Sequence, residues 1–226
     1  MSRSPSNRPH KALLLVFECF VLSALIAGSA IGHTPWEQRT PFHALSRTTA
    51  PLQITSIAGT GSATGLDVTF RNRSNRSVGV DVQAGTTLLN PSSGAQNMIV
   101  GRDQSFEIPG NSKSTEHLDA YCIQHDLDAP SGSSASWRIR PPKSNDSRIR
   151  LLRAVKAIDS EGSEMEKSAI QMAMWRVTDR ISRTAAIDSL KFNGISDADA
   201  QAIIHSANVA LKRAKLDPFP NRRSRR

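Results

Sequence analysis

LDVTFRNRSNRSVGVDV, residues 66–82, reads as two short strands around a polar turn. Leu66, Val68 and Phe70 alternate with Asp67 and Thr69, the period of a strand with one buried face. Asn72–Arg76 breaks that run, and Val78, Val80 and Val82 then alternate in the same sense. Working outward, similar runs stand at residues 52–57, 97–100, 105–108, 117–123 and 136–140, separated by Gly, Asn, Ser and Pro. Six or seven short strands at this spacing predict an antiparallel β-sandwich.

After Pro141-Pro142 the period turns helical. Residues 146–158 gather Ile149, Leu152, Ala154, Val155 and Ile158 on one side, among basic residues. Ser163 with Glu166 forms a capping-box signature for a second helix, read through residue 182. Its apolar residues, from Met165 to Ile181, run round most of the circumference, as in a helix buried between neighbours. Gln171 falls on a narrow polar strip with Lys167, Ser168 and Thr178. Ser196 with Asp199 opens a third helix, stopped at Asp217-Pro218. Strands first and helices after predict an α+β fold with segregated layers.

The net charge of +9 invites a nucleic-acid reading, so its position matters. Three of the bases are Arg3, Arg8 and Lys11, and seven lie between Lys212 and Arg226. Removing those ten from 29, and Asp217 from 20 acids, leaves 19 of each sign between residues 12 and 211. A nucleic-acid binder carries its basic stripe on the folded surface beside stacking aromatics; here the excess sits at the ends, which argues against that class. Residues 12–32, ALLLVFECFVLSALIAGSAIG, follow basic residues and approach the roughly 20 residues that span a bilayer. They predict export, with residues 1–32 a signal peptide cut near Gly28-Ser29-Ala30 or a retained N-terminal membrane anchor. Residues 33–51 read as a linker, 52–216 as a single β-sandwich with a helical cap, and 217–226 as a basic tail.

With residues 12–32 removed, Cys122 is the one remaining cysteine, and it cannot form an internal disulfide. Free cysteines in apolar surroundings are most often inert small hydrophobes. Gln171-Met172-Ala173-Met174-Trp175 supplies a second motif, with Gln171 and Trp175 one helical turn apart. Together, Tyr121-Cys122-Ile123 and Gln171-x-Ala173-x-Trp175 resemble the thioester domains of bacterial surface adhesins, across residues 119–178. The resemblance implies an internal thioester between Cys122 and Gln171, walled by Tyr121 and Trp175, that a target amine or hydroxyl attacks. Two features depart from that family: Ile170 stands where a Thr is typical, and the interval of 49 residues from Cys122 to Gln171 is short.

Other constellations are weaker. His117, Cys122 and His125 match no tight zinc spacing, and an i, i+3 Cys-His pair on a strand points to opposite faces. Gly59-Thr60-Gly61 with Gly65 precedes no helix and reads as a loop. Asn72, Asn75 and Asn145 fit the glycosylation acceptor pattern. Arg138, Arg140, Lys143, Arg148, Arg150, Arg153 and Lys156 read as a solvated basic face. The sequence thus predicts an exported cell-envelope or secreted interaction domain, facing outside the cytoplasm, with no conventional catalytic constellation, cofactor or metal. Its expected partner is a cell-surface or matrix protein or glycan, with membrane contact through residues 12–32 if these are retained. The alternative is a module that attaches covalently through Cys122 and Gln171.

Overall fold

The computed structural model describes residues 39–47, 50–156 and 163–220. The apolar segment 12–32 and the end of the basic tail lie outside them. The described residues form an α+β fold of eleven strands and four helices. Its strands are β1 Arg39–Pro41, β2 Leu52–Thr60, β3 Leu66–Asn72, β4 Val78–Val82, β5 Thr87–Leu89 and β6 Met98–Val100. They continue with β7 Gln104–Ile108, β8 Ser112–Leu118, β9 Ala120–Cys122, β10 Ser131–Ser134 and β11 Arg138–Arg140. The helices follow as α1 Ser147–Lys156, α2 Glu164–Thr178, α3 Arg183–Phe192 and α4 Asp197–Arg213. Among the described residues no helix is long and apolar enough to cross a membrane.

Three open sheets form, in the orders β1-β4-β7, β10-β2-β3-β8 and β11-β5-β6-β9. All strand pairs are antiparallel except β1 with β4. The alternation of residues 66–70 is realised: Leu66, Val68 and Phe70 are fully buried. β3 and β4, however, do not pair with each other. They belong to different sheets, and the polar turn between them is a corner. Asn72 builds that corner. Its side-chain amide donates to the carbonyls of Arg76 (2.8 Å) and Ile108 (3.0 Å), and its oxygen accepts from the Ser74 N–H (3.0 Å) and hydroxyl (2.7 Å). With its amide so used and its residue 1% exposed, Asn72 is unsuited to carry a glycan, unlike the exposed Asn75.

The stretch read as a linker contributes β1 and a 3-10 turn, Phe42–Arg47, whose Phe42 packs edge-on against Phe70 with centroids 6.2 Å apart. At the other end, Phe219 is buried, and its N–H donates to the Asn208 side chain at 2.7 Å. Residues 217–220, read as the start of the tail, are therefore docked on α4.

The helical block has one more member than the sequence suggests. α2 opens with the expected capping box, in which Ser163 accepts from the Glu166 N–H and Glu166 accepts from the Ser163 N–H. It ends at Thr178 rather than near residue 182, because Arg180 turns left-handed (φ 55°) and the chain reverses. Arg176 secures the reversal by donating to the Arg180 and Ile181 carbonyls, both at 3.2 Å. α3 then starts on Ser182 as N-cap and stops at Gly194, whose φ of 80° suits glycine. α2 packs against α1, α4 and β9, so it is the element that joins helices to strands.

Candidate functional site

Cys122 is the last residue of β9 and lies opposite Met98 of β6. The neighbouring ladder bond, from the Ile123 N–H to the Asn97 carbonyl at 3.0 Å, makes Met98 and Cys122 a non-hydrogen-bonded pair. Two consequences follow. The side chains come together, with Cys122 Sγ donating to Met98 Sδ at 3.3 Å. The Cys122 N–H and C=O point away from β6 and must find partners elsewhere, since buried peptide groups without partners are expensive.

Gln171 supplies them. The Cys122 N–H donates to Gln171 Oε1 at 3.0 Å, and Gln171 Nε2 donates to the Cys122 carbonyl at 2.8 Å. The side-chain amide thus stands where the peptide of a further strand would stand. The Cys122 N–H also donates to the Ala63 carbonyl at 3.1 Å, from the β2–β3 loop containing Gly61 and Gly65. Gln171 is only 2% exposed, so its amide faces β9 rather than water, unlike the half-exposed Lys167, Ser168 and Thr178 of the same strip. The two residues singled out from sequence are brought into direct contact across an interval of 49 residues.

The contact is one of three along a single stripe of α2. Trp175, one turn on, meets the His125 ring edge-to-face with centroids 4.9 Å apart. Its indole N–H donates to Gln96 Oε1 at 3.4 Å. Asp179, a further turn on and the C-cap, accepts from the His125 N–H at 2.5 Å. From Gln171 to Asp179 the helix rises roughly 12 Å at 1.5 Å per residue. Cys122 to His125 spans roughly 10 Å when extended, so the stripe and the strand end run alongside each other in register.

Gln96 is the residue that sequence reasoning missed. It is 3% exposed, donates to the Leu127 carbonyl at 2.7 Å, and accepts from both Trp175 and the Gln124 N–H (3.2 Å). In the sequence it stands in Ala95-Gln96-Asn97, an ordinary polar stretch ahead of β6, which is no signal. Trp175, read from sequence as a pocket wall, lies one turn from Gln171 and meets His125 and Gln96. Tyr121 does not share the Cys122 face: strand alternation sends it to the other side of the sheet. Its ring lies close to Gly101, where an added Cβ would stand 2.5 Å from a ring carbon.

Burial pushes the Cys122 thiol up to about 12, so at neutral pH the sulfur is protonated. Burial, reinforced by Asp119, also pushes the Tyr121 phenol up. The flanking histidines are engaged elsewhere, His117 Nδ1 with Asp67 at 2.9 Å and His125 Nδ1 with Asp126 at 3.0 Å. Among the described residues no group of three His, Cys, Asp or Glu side chains is arranged to hold a metal. Chemically, the site offers a dry thiol packed on Met98 and, bonded to the backbone of the same residue, a primary amide whose oxygen accepts that residue's N–H. An N–H at 3.0 Å is where a donor must stand to stabilise negative charge growing on that oxygen.

Comparison with known proteins gives no match: no family model fits the chain, and no curated protein or solved structure matches it.

Proposed function

We propose that this is an exported surface module that attaches covalently to its target through a thioester between Cys122 and Gln171. The supporting observation is the buried contact of Cys122 with the Gln171 amide, in which the Cys122 N–H polarises the amide carbonyl. The sulfur adds to the amide carbon, the carbon–nitrogen bond breaks, and the nitrogen leaves as ammonia carrying the thiol proton. A target amine then attacks the carbonyl carbon. Sulfur departs with the amine's proton, and an amide links target to protein. In this reading the three sheets stack as a β-sandwich under the helical cap, and residues 12–32 direct export.

A second reading has its own observation. Both polar atoms of the Gln171 amide already serve the Cys122 backbone, and the thiol faces Met98. Gln171 is then a buried latch between β9 and α2 in a non-catalytic interaction domain. Isotope-labelled methylamine separates the two. Label recovered on Gln171 of the full chain, and absent from a Cys122→Ala variant, is the outcome of the thioester; no label in either leaves the latch.

A further inference from the structure

The outer face of the β3–β8 pair presents three successive cross-strand rungs. Asp67 lies opposite His117, and the two are bonded at 2.9 Å. Thr69 lies opposite Thr115, hydroxyl to hydroxyl at 3.0 Å. The third rung breaks the pattern: Arg71 lies opposite Lys113, both exposed. Like charges placed directly opposite oppose strand pairing. Beside them opens a cleft of about 480 Å³ lined by Arg71, Asn72, Arg73, Asn111, Ser112 and Lys113, with three cations and no carboxylate. Glu116 is no remedy, because alternation along β8 sets it on the face opposite Lys113, where it bonds Ser114.

The frame of this cleft is held firmly. Asn72 knits the β3–β4 corner, and the Asn111 N–H donates to the Ser74 carbonyl at 2.7 Å. At Gly110 the two turns meet so closely that a Cβ would stand 2.6 Å from the Asn75 backbone. Asn111 takes a left-handed φ of 53°, and the Ser112 hydroxyl donates to the Pro109 carbonyl at 2.6 Å.

We propose that this cleft binds the clustered sulfate or phosphate esters of an acidic polysaccharide. Two arginine forks suit tetrahedral oxyanions, and an ester between Arg71 and Lys113 turns the repulsive rung into a bridged one. A nucleic acid is disfavoured because no aromatic side chain lines the cleft for bases to stack on. The inference does not depend on the Cys122–Gln171 chemistry.

The test uses the full chain and three probes of similar charge: a heparin octasaccharide, a phosphorylated mannose oligosaccharide and an oligodeoxythymidylate. Dissociation constants are measured over a range of sodium chloride concentrations for three proteins. These are the wild type, Arg71→Thr/Lys113→Thr, and a tail variant with Arg222, Arg223, Arg225 and Arg226 changed to Ser. The Thr pair copies the neighbouring rung, and a thermal melt checks that it folds. The proposal expects one ester probe to bind the wild type and the tail variant alike. For the double Thr variant, binding to that probe weakens about tenfold and the log–log salt slope falls by roughly 1.5, the share of two ionic contacts. Whichever ester binds more tightly identifies the group. Binding that survives the double change, is lost with the tail alone, is absent for both esters, or is matched by the deoxythymidylate overturns it.

Discussion

Replacing Gln171 by Leu isolates the seam between β9 and α2, provided it is made on a Cys122→Ala background where no thioester can form. Alanine keeps the peptide N–H and C=O of residue 122, so the double variant differs from Cys122→Ala only in the amide. The carbonyl of residue 122 loses the Nε2 donor at 2.8 Å, while its N–H keeps the Ala63 carbonyl at 3.1 Å. One buried carbonyl without a partner, plus a weakened N–H, costs about 2–3 kcal/mol. The apolar gain from Leu offsets part of that, leaving about 2 kcal/mol. For a chain of 226 residues this lowers the melting temperature by roughly 4–8 °C. Calorimetry of the two variants measures the difference, and amide exchange at residue 122 should accelerate with it. Gln171→Glu gives a sign check. Its carboxyl must be protonated to donate to the carbonyl, so its folded-state pKa is raised. Relative to Gln, it is best tolerated below the ordinary Glu pKa and loses stability as pH rises. A Leu variant that melts within 1 °C of its parent would refute the reasoning.

Further predictions concern groups placed apart from that amide. While the Cys122 thiol is free, its folded value of about 12 against 9.0 unfolded makes stability full below pH 9 and declining above it, as only the unfolded chain ionises. Between pH 9 and 10.5, urea unfolding of that chain should lose about 1.5 kcal/mol more than Cys122→Ala, following 1.36 kcal/mol per unit; parallel pH profiles would contradict this. Asn72→Ala strips the amide donor from the buried Ile108 carbonyl, while the Arg76 carbonyl keeps the Ser74 hydroxyl at 2.8 Å, and should cost about 1–3 kcal/mol in chemical denaturation. Expression in a glycosylating host should yield sugar on Asn75 and none on Asn72, read by peptide mapping. Phe219→Ala, at a fully buried ring beneath Arg176, should cost about 3–5 kcal/mol. Phe192→Ser, at a side chain 92% exposed, should leave the melting temperature unchanged.

The strands are legible in the sequence where alternation is strict, as at Leu66, Val68 and Phe70, because a half-buried strand imposes that period. Pairing is less legible. Residues 66–82 look like two neighbours across a turn, yet the side chain of Asn72 sends them to separate sheets, and no pattern in the sequence announces that corner. α3 escapes notice because its N-cap, Ser182, has Ala185 where a capping box would have an acid, and Arg180 breaks α2 without a Gly or Pro. At the site, Cys122, Gln171 and Trp175 stand out by residue type and spacing. The burial of Gln171 does not, because the demand for a polar side chain there comes from a peptide group on a distant strand. Gln96 is invisible for the same reason. The capping box at Ser163 and the Ser196 N-cap with Asp199 are purely local, and both motifs open helices in the structure.

Intact mass of the natively purified chain tests the central claim most directly. A bond between Cys122 and Gln171 predicts a mass short of the sequence value by one ammonia, and a Cys122→Ala variant at its full expected mass. A wild-type mass equal to the sequence value, unchanged after incubation with methylamine, would contradict the thioester.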